Sequence, residues 1–264
     1  MNKKKIIIGI VGGLLAVLII AVLIVATKLD AIVETGIKTV GPKLTKTTIQ
    51  LEKVSIRPLS GSGAVSGLVV GSPDGYKAEY TMKMDHAHLS IKPMSLLSDK
   101  VVVDTIIVDG PEIILEGGLK ENNLTAIQKN VTDTVGAGGA TAPTTPAASE
   151  PAGASKKLQL NHLKLTGIKV HLRLSMLAGK NITIAAPDFE IKDLGTGPEG
   201  ITVGEIVKRA LNELTAEVLA AAAKSVADAG KDAANAAVGT ATKESTEAVG
   251  KAAEGLKSLF KKKE

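Results

Sequence analysis

The chain has 264 residues, 44% of them hydrophobic, yet it contains only two Phe, two Tyr, no Trp and no Cys. So few aromatics exclude the stacking platforms that hold single-stranded nucleic acids and sugars, and the lack of Cys excludes disulfides, thiolate metal sites and cysteine nucleophiles. The net charge of +5 belongs to the two ends, where Lys3, Lys4, Lys5 and Lys261, Lys262, Lys263 lie, and the rest of the chain is close to neutral.

Residues 6–26, IIIGIVGGLLAVLIIAVLIVA, run for twenty-one positions without a charge or a hydroxyl. As a helix rising about 1.5 Å per residue, such a run spans a hydrocarbon core of roughly 30 Å. It is longer than the apolar region of a cleaved signal peptide, and Ile24, Val25 and Ala26 make a poor cleavage site, so an uncleaved signal anchor over residues 1–27 is expected. The lysine cluster before the run keeps the N-terminus cytoplasmic and translocates the chain beyond Lys28, which in a bacterium means a single-pass inner-membrane protein with a periplasmic bulk.

Residues 28–42 then carry Leu29, Ile32, Val33, Ile37 and Val40 at helical spacing, with Gly41 and Pro42 expected to end the helix. The pattern next changes to period two: Ile49 and Leu51, Val54 and Ile56, then Tyr76, Ala78, Tyr80, Met82 and Met84, then Leu89 and Ile91. The apolar phase slips by one residue at Glu52 and Lys53 and again around Asp85 and His86, as a β-bulge would make it do. Val101, Val103, Ile106 and Val108 continue the strands, the turn Asp109, Gly110, Pro111 comes next, and Ile113 and Leu115 form another strand. Leu124, Ile127 and Val131 return to helical spacing, with Asn122 or Asn123 as the cap. This first β unit occupies 28–132.

Residues 133–156, DTVGAGGATAPTTPAASEPAGASK, hold no apolar side chain larger than Val and are expected to form a disordered loop. Strand patterning resumes in the second unit, 157–214, with Leu158, Leu160, Leu163 and Leu165, then Ile168, Val170, Leu172 and Leu174, then Ile182, Ile184, Phe189 and Ile191. A helix from 201 to 214 is capped by Thr202 and Glu205 and should dock on the sheet. From 215 to 264 the chain is Ala-rich with an eleven-residue period, read in Val226, Ala237, Ala248 and Leu259, which keeps one stripe on one face of a nearly straight helix. Both a solvated tail and an amphipathic helix that folds on a membrane or a partner fit this composition.

Candidate chemistry is sparse. His86 and His88 share one strand face but lack a third ligand nearby in sequence, and the glycines of GSGAVSG at 61–67 read as hairpin residues, since a strand comes after them where a phosphate loop needs a helix. Asn123, Asn130 and Asn181 begin glycosylation sequons. No Ser-His-Asp grouping, acid pair or phosphate loop is visible, so an enzyme is not expected, nor is any cofactor or metal.

The segment LEKVSIRPLSGSGAVSGLVVGSPDGY, followed by KMDHAHLSIKPMSLLSDKVVVDTIIVDGPEIILEG and LKENNLTAIQKNV, resembles the opening repeat of the AsmA family, bacterial membrane-anchored relatives of the bridge-like lipid-transfer superfamily. LQLNHLKLTGIKVHL and ITIAAPDFEIKDLG resemble that family's next strands, so the resemblance covers about 27–210. It implies a mainly β fold with helices: a curved antiparallel sheet forming a groove whose concave aliphatic face carries acyl chains. Ten strands at about 4.8 Å spacing would make that groove roughly 50 Å long, too short to cross a periplasm alone. Met82, Met84, Val101, Val103, Leu163, Leu165, Val170 and Leu172 are the groove candidates, because they recur in phase on the longest alternating strands and because Met and aliphatic side chains adapt to flexible chains. The expected function is binding or handling of lipid in envelope biogenesis. The expected partners are membrane lipids and an envelope protein met through the C-terminal helix, with no nucleic acid. The alternative is a non-catalytic structural or assembly protein in which the same face is a closed core.

Overall fold

In a computed structural model, residues 28–137, 156–177, 179, 181–229 and 231 are described. The expected membrane span at 6–26, most of the expected loop at 133–156 and the tail from 232 lie outside them. Among the described residues no helix is long and apolar enough to cross a membrane. Two compact units divide the chain, residues 1–219 and 220–264; the described part of the second, 220–229 and 231, is helical.

Helix α1 covers 28–45 and therefore does not stop at Gly41 and Pro42. A residue before proline is normally pushed out of the helical region by its own Cβ, and Gly41 has none. A Cβ there would also lie 2.9 Å from Ile49 Cγ1, so glycine lets the helix pass close to the first strand. The helix closes when Lys46 turns left-handed, φ 54°, and its N–H reaches the Pro42 carbonyl at 2.9 Å.

Ten strands make up one sheet: β1 Ile49–Gln50, β2 Lys53–Arg57, β3 Ser62–Val70, β4 Met82–Ile91, β5 Lys100–Asp109, β6 Glu112–Gly117, β7 Lys157–Thr166, β8 Lys169–Leu174, β9 Ile182–Ala185 and β10 Phe189–Leu194. The sheet curls into a half-barrel accompanied by three helices. Helix α2, Asn123–Gly136, comes after β6 and is the described part of the crossover between β6 and β7, and α3 covers the helical residues 203–229. Because the chain returns through α2, β7 enters the sheet parallel to β5, and β8 parallel to β6. The sheet is mixed, which corrects the expected antiparallel arrangement: a parallel pair requires such a crossover.

Three local readings change with it. The glycine-rich stretch 61–67 is mostly strand, since β3 pairs with β1, β2 and β4 and the turn is confined to 58–61. Tyr76 to Tyr80 lie in a loop rather than a strand, because the Glu116 carboxylate accepts the N–H groups of Lys77 (2.8 Å) and Ala78 (2.6 Å). Residues 133–136, placed in the expected loop, are the last turn of α2.

The ten strands make only six parallel or antiparallel paths. From Ser90 back to Met82, β5 and β6 meet β4 in one register, Ala87 opposite Val108 and Met82 opposite Ile113. The same continuity joins β1 to β2 along β3, β7 to β8 along β5 and β6, and β9 to β10 along β7 and β8. Six paths at about 4.8 Å spacing give a sheet about 25 Å across, half the expected groove length.

One rung of this register carries Glu52, Gly67, Asp85, Gly110, Gly167 and Pro187. Its three glycines have φ of 63°, 62° and 63°. A left-handed residue in an extended strand rotates the pleat beyond it. When neighbouring paths break at the same rung they stay paired and the sheet bends. The phase slips at Glu52 and at Asp85 mark this crease, and they occur without the register shift that a bulge would bring. The register shift that does occur lies between Ser90 and Ile91, where β5 carries the extra residue.

Candidate functional site

The crease divides the sheet into two panels, each with one aliphatic face. In the first panel, register aligns Val54, Val65, Ala87, Val108, Leu165 and Phe189 across six strands, all 7% exposed or less. The next row on that face is Ile56, Gly63, Leu89, Ile106, Leu163 and Ile191, and after it come Ile91, Val103, Leu160 and Leu194. In the second panel one row holds Ile49, Val70, Met82, Ile113, Val170 and Ile184, and another Leu115, Leu172 and Ile182. None of these positions bears a hydrogen-bonding or charged side chain. Such a surface offers acyl chains or a packed core only apolar contact.

All eight groove candidates fall in this one sheet, on both sides of the crease. Leu163, Leu165, Val170 and Leu172 are buried, the last two completely. Met82, Met84, Val101 and Val103 are half-buried. Exposure therefore varies within each panel. The β6 and β8 core residues Ile113, Leu115, Val170 and Leu172 are sealed at 0% exposure, whereas Leu89, Val101, Val103, Ile106 and Ile191 of the first panel are partly open. Ile106, Leu89 and Ile191 are site residues that sequence reasoning did not select. Period-two patterning put them on strands, but only cross-strand register brings them beside Leu163.

The helices close the sealed part. Leu124, Ile127 and Val131 of α2 are buried, as are Leu211, Leu214 and Val218 of α3. Gln128 Nε2 donates to Asn212 Oδ1 at 2.9 Å, joining α2 to α3, and Asn130 Nδ2 donates to the Thr45 carbonyl at 2.8 Å, joining α2 to α1. Both expected caps form. Asn122 and Thr125 exchange side-chain bonds with each other's N–H at 2.9 and 3.0 Å, and Thr202 and Glu205 do the same at 3.2 and 2.7 Å. The Thr202 N–H holds the Glu205 carboxyl below the ordinary glutamate range.

Asn123 is wholly buried. Its amide donates to the Ile114 carbonyl (2.7 Å) and the Thr81 hydroxyl (3.1 Å), while its oxygen accepts the Glu116 N–H (2.9 Å). It supplies the pairing that β6 loses where β4 ends, and its sequon has no free amide to modify.

The opposite face is polar. Glu112 lies 2.9 Å from Lys83 Nζ, accepts from the Tyr80 hydroxyl at 3.3 Å and faces His171 at 3.6 Å. The Lys83 ammonium holds its carboxyl low, and Lys83 is itself raised by that bond. Lys192 does the same to Glu190, with His162 adding a smaller effect. His86 and His88 are exposed, His86 sitting 3.2 Å from the Ser66 hydroxyl. Among the described residues no group of three or more His, Asp or Glu is placed to hold a metal ion. A polar cleft of about 330 Å³ opens between Tyr76, Glu116, Arg173 and Asn181, and Glu116 is already committed to the loop at 77–78.

Compared with protein-family models, with curated proteins and with solved structures, the chain matches none.

Proposed function

We propose that this chain is a single-pass inner-membrane protein, N-terminus cytoplasmic, whose sheet binds lipid acyl chains during envelope biogenesis, as the AsmA-like resemblance implies. The observation that carries this reading is the uninterrupted aliphatic face of the first panel, part of which stays accessible at Val101, Val103, Ile106 and Leu89. Open apolar surface in water is unstable and calls for a ligand. The uncharged run at 6–26 supports a source of lipid at hand. Nothing in this function needs a catalytic group or a cofactor.

The complete burial of Ile113, Leu115, Val170 and Leu172 favours a second reading, a structural or assembly protein with a closed core. Native mass spectrometry of detergent-purified full-length protein, with subsequent lipid extraction, separates the two. Co-purifying lipid at defined stoichiometry supports the first reading, and lipid-free protein of full stability supports the second.

A further inference from the structure

We propose that one end of the sheet, built by the loops at 58–61, 93–97 and 195–202, docks on an anionic lipid bilayer; this rests on the membrane-anchored reading above. Register puts these loops side by side, because Arg57 pairs with Ser62, Ser62 with Ser90 and Lys100 with Lys157. The loops also bond to one another: the Ile91 N–H meets the Gly61 carbonyl at 2.7 Å, Lys156 Nζ the Leu96 carbonyl at 2.6 Å and Lys100 Nζ the Gly197 carbonyl at 3.0 Å.

Apolar exposure is concentrated there. Leu59, Met94 and Leu97 are 77%, 77% and 71% exposed, Val203 lies where α3 begins and Ile32 in the first turns of α1. Among the described residues only Met176, of the large exposed hydrophobics, lies away from this end. Exposed side chains scattered singly need no explanation, but several on adjoining loop tips form a patch that water does not favour. Arg57, Lys92, Lys156 and Lys157 stand around these tips, all exposed, Lys92 lying 3.5 Å from Asp104, with Asp99, Asp193 and Glu199 as the exposed acids among them. Apolar tips ringed by basic side chains suit the boundary between anionic headgroups and acyl chains.

The chain itself points to the occupant. The Ile56 N–H donates to Asp30 Oδ1 at 2.6 Å, which pins the start of α1 at this same end. Residues 1–27, with their twenty-one uncharged positions, therefore join the described structure beside Leu59 and not at the far end.

The chain has no cysteine, so single cysteines can be labelled uniquely. Full-length protein carrying Leu59→Cys, Leu97→Cys or, at the opposite end, Asp74→Cys is labelled with an environment-sensitive fluorophore. It is then reconstituted into phosphatidylcholine vesicles with or without phosphatidylglycerol, some doped with shallow nitroxide-labelled lipid. Expected are a blue shift and loss of fluorescence to the nitroxide at 59 and 97 but not at 74, larger with phosphatidylglycerol and reduced by Lys156→Glu with Lys157→Glu. Protein that floats with the vesicles while its tips stay unquenched overturns the docking surface alone, whether solvent or a second copy covers them. Protein that does not float with the vesicles overturns the membrane reading as well.

Discussion

Gly110 and Gly167 lie side by side on adjacent parallel paths, both left-handed, with the Gly110 N–H donating to the Thr166 carbonyl at 2.8 Å. Their pairing keeps β5 with β7 and β6 with β8 in one register while the sheet bends between them. The two panels thus belong to one sheet.

Gly110→Ala and Gly167→Ala test that crease. A Cβ at Gly110 meets nothing within 4 Å and one at Gly167 nothing nearer than 3.8 Å, so the cost is conformational strain alone, about 1–2 kcal/mol each. Urea unfolding should show lowered midpoints at unchanged slope. A neutral result at both positions would remove the crease from the account of the fold.

Asn123→Ala should cost about 3 kcal/mol, because it leaves the Ile114 carbonyl and the Glu116 N–H without partners. Asn122→Ala removes only a cap, at about 1 kcal/mol. Thermal melts of the two variants check the ranking, and equal losses would contradict it.

Aspartate substitutions map which part of the aliphatic face is open. Val170→Asp buries a charge at a position with 0% exposure and should unfold the domain by several kcal/mol. Leu165→Asp, at 5% exposure, should behave alike. Val103→Asp is half-buried and should leave a folded protein that has lost co-purifying lipid. If Val103→Asp unfolds the chain too, the first panel is core.

Acid should weaken the outer face through Glu112. Its carboxyl titrates lower in the folded chain because Lys83 bonds it, so the stabilisation is full above the ordinary glutamate range and is lost as pH falls through the folded value. The raised Lys83 loses its share only at alkaline pH. As a partly exposed pair it contributes under about 1 kcal/mol. Glu112→Gln should flatten the acid limb of stability against pH by that amount, as monitored by circular dichroism.

The sequence by itself determined what is local. Alternation located most strands, a cap at Asn122 or Asn123 and the Thr202–Glu205 box marked two helix starts, and the phase slips at Glu52 and Asp85, expected as bulges, fall on the crease without a register shift. Backbone geometry and side-chain spacing within a few residues suffice for such signals. Only the tertiary structure decided the rest. Ser62–Val70 became a strand because neighbours on both sides pair with a segment whose glycines carry no pattern of their own. β7 lay parallel to β5 because α2 carried the chain back, and period two is the same in either direction. Helix α1 continued through Pro42 because Gly41 has no Cβ to crowd the proline ring or Ile49. The division of the aliphatic face into sealed and partly open positions came last, since burial depends on which helices arrive from elsewhere in the chain, and no residue's own spacing records that.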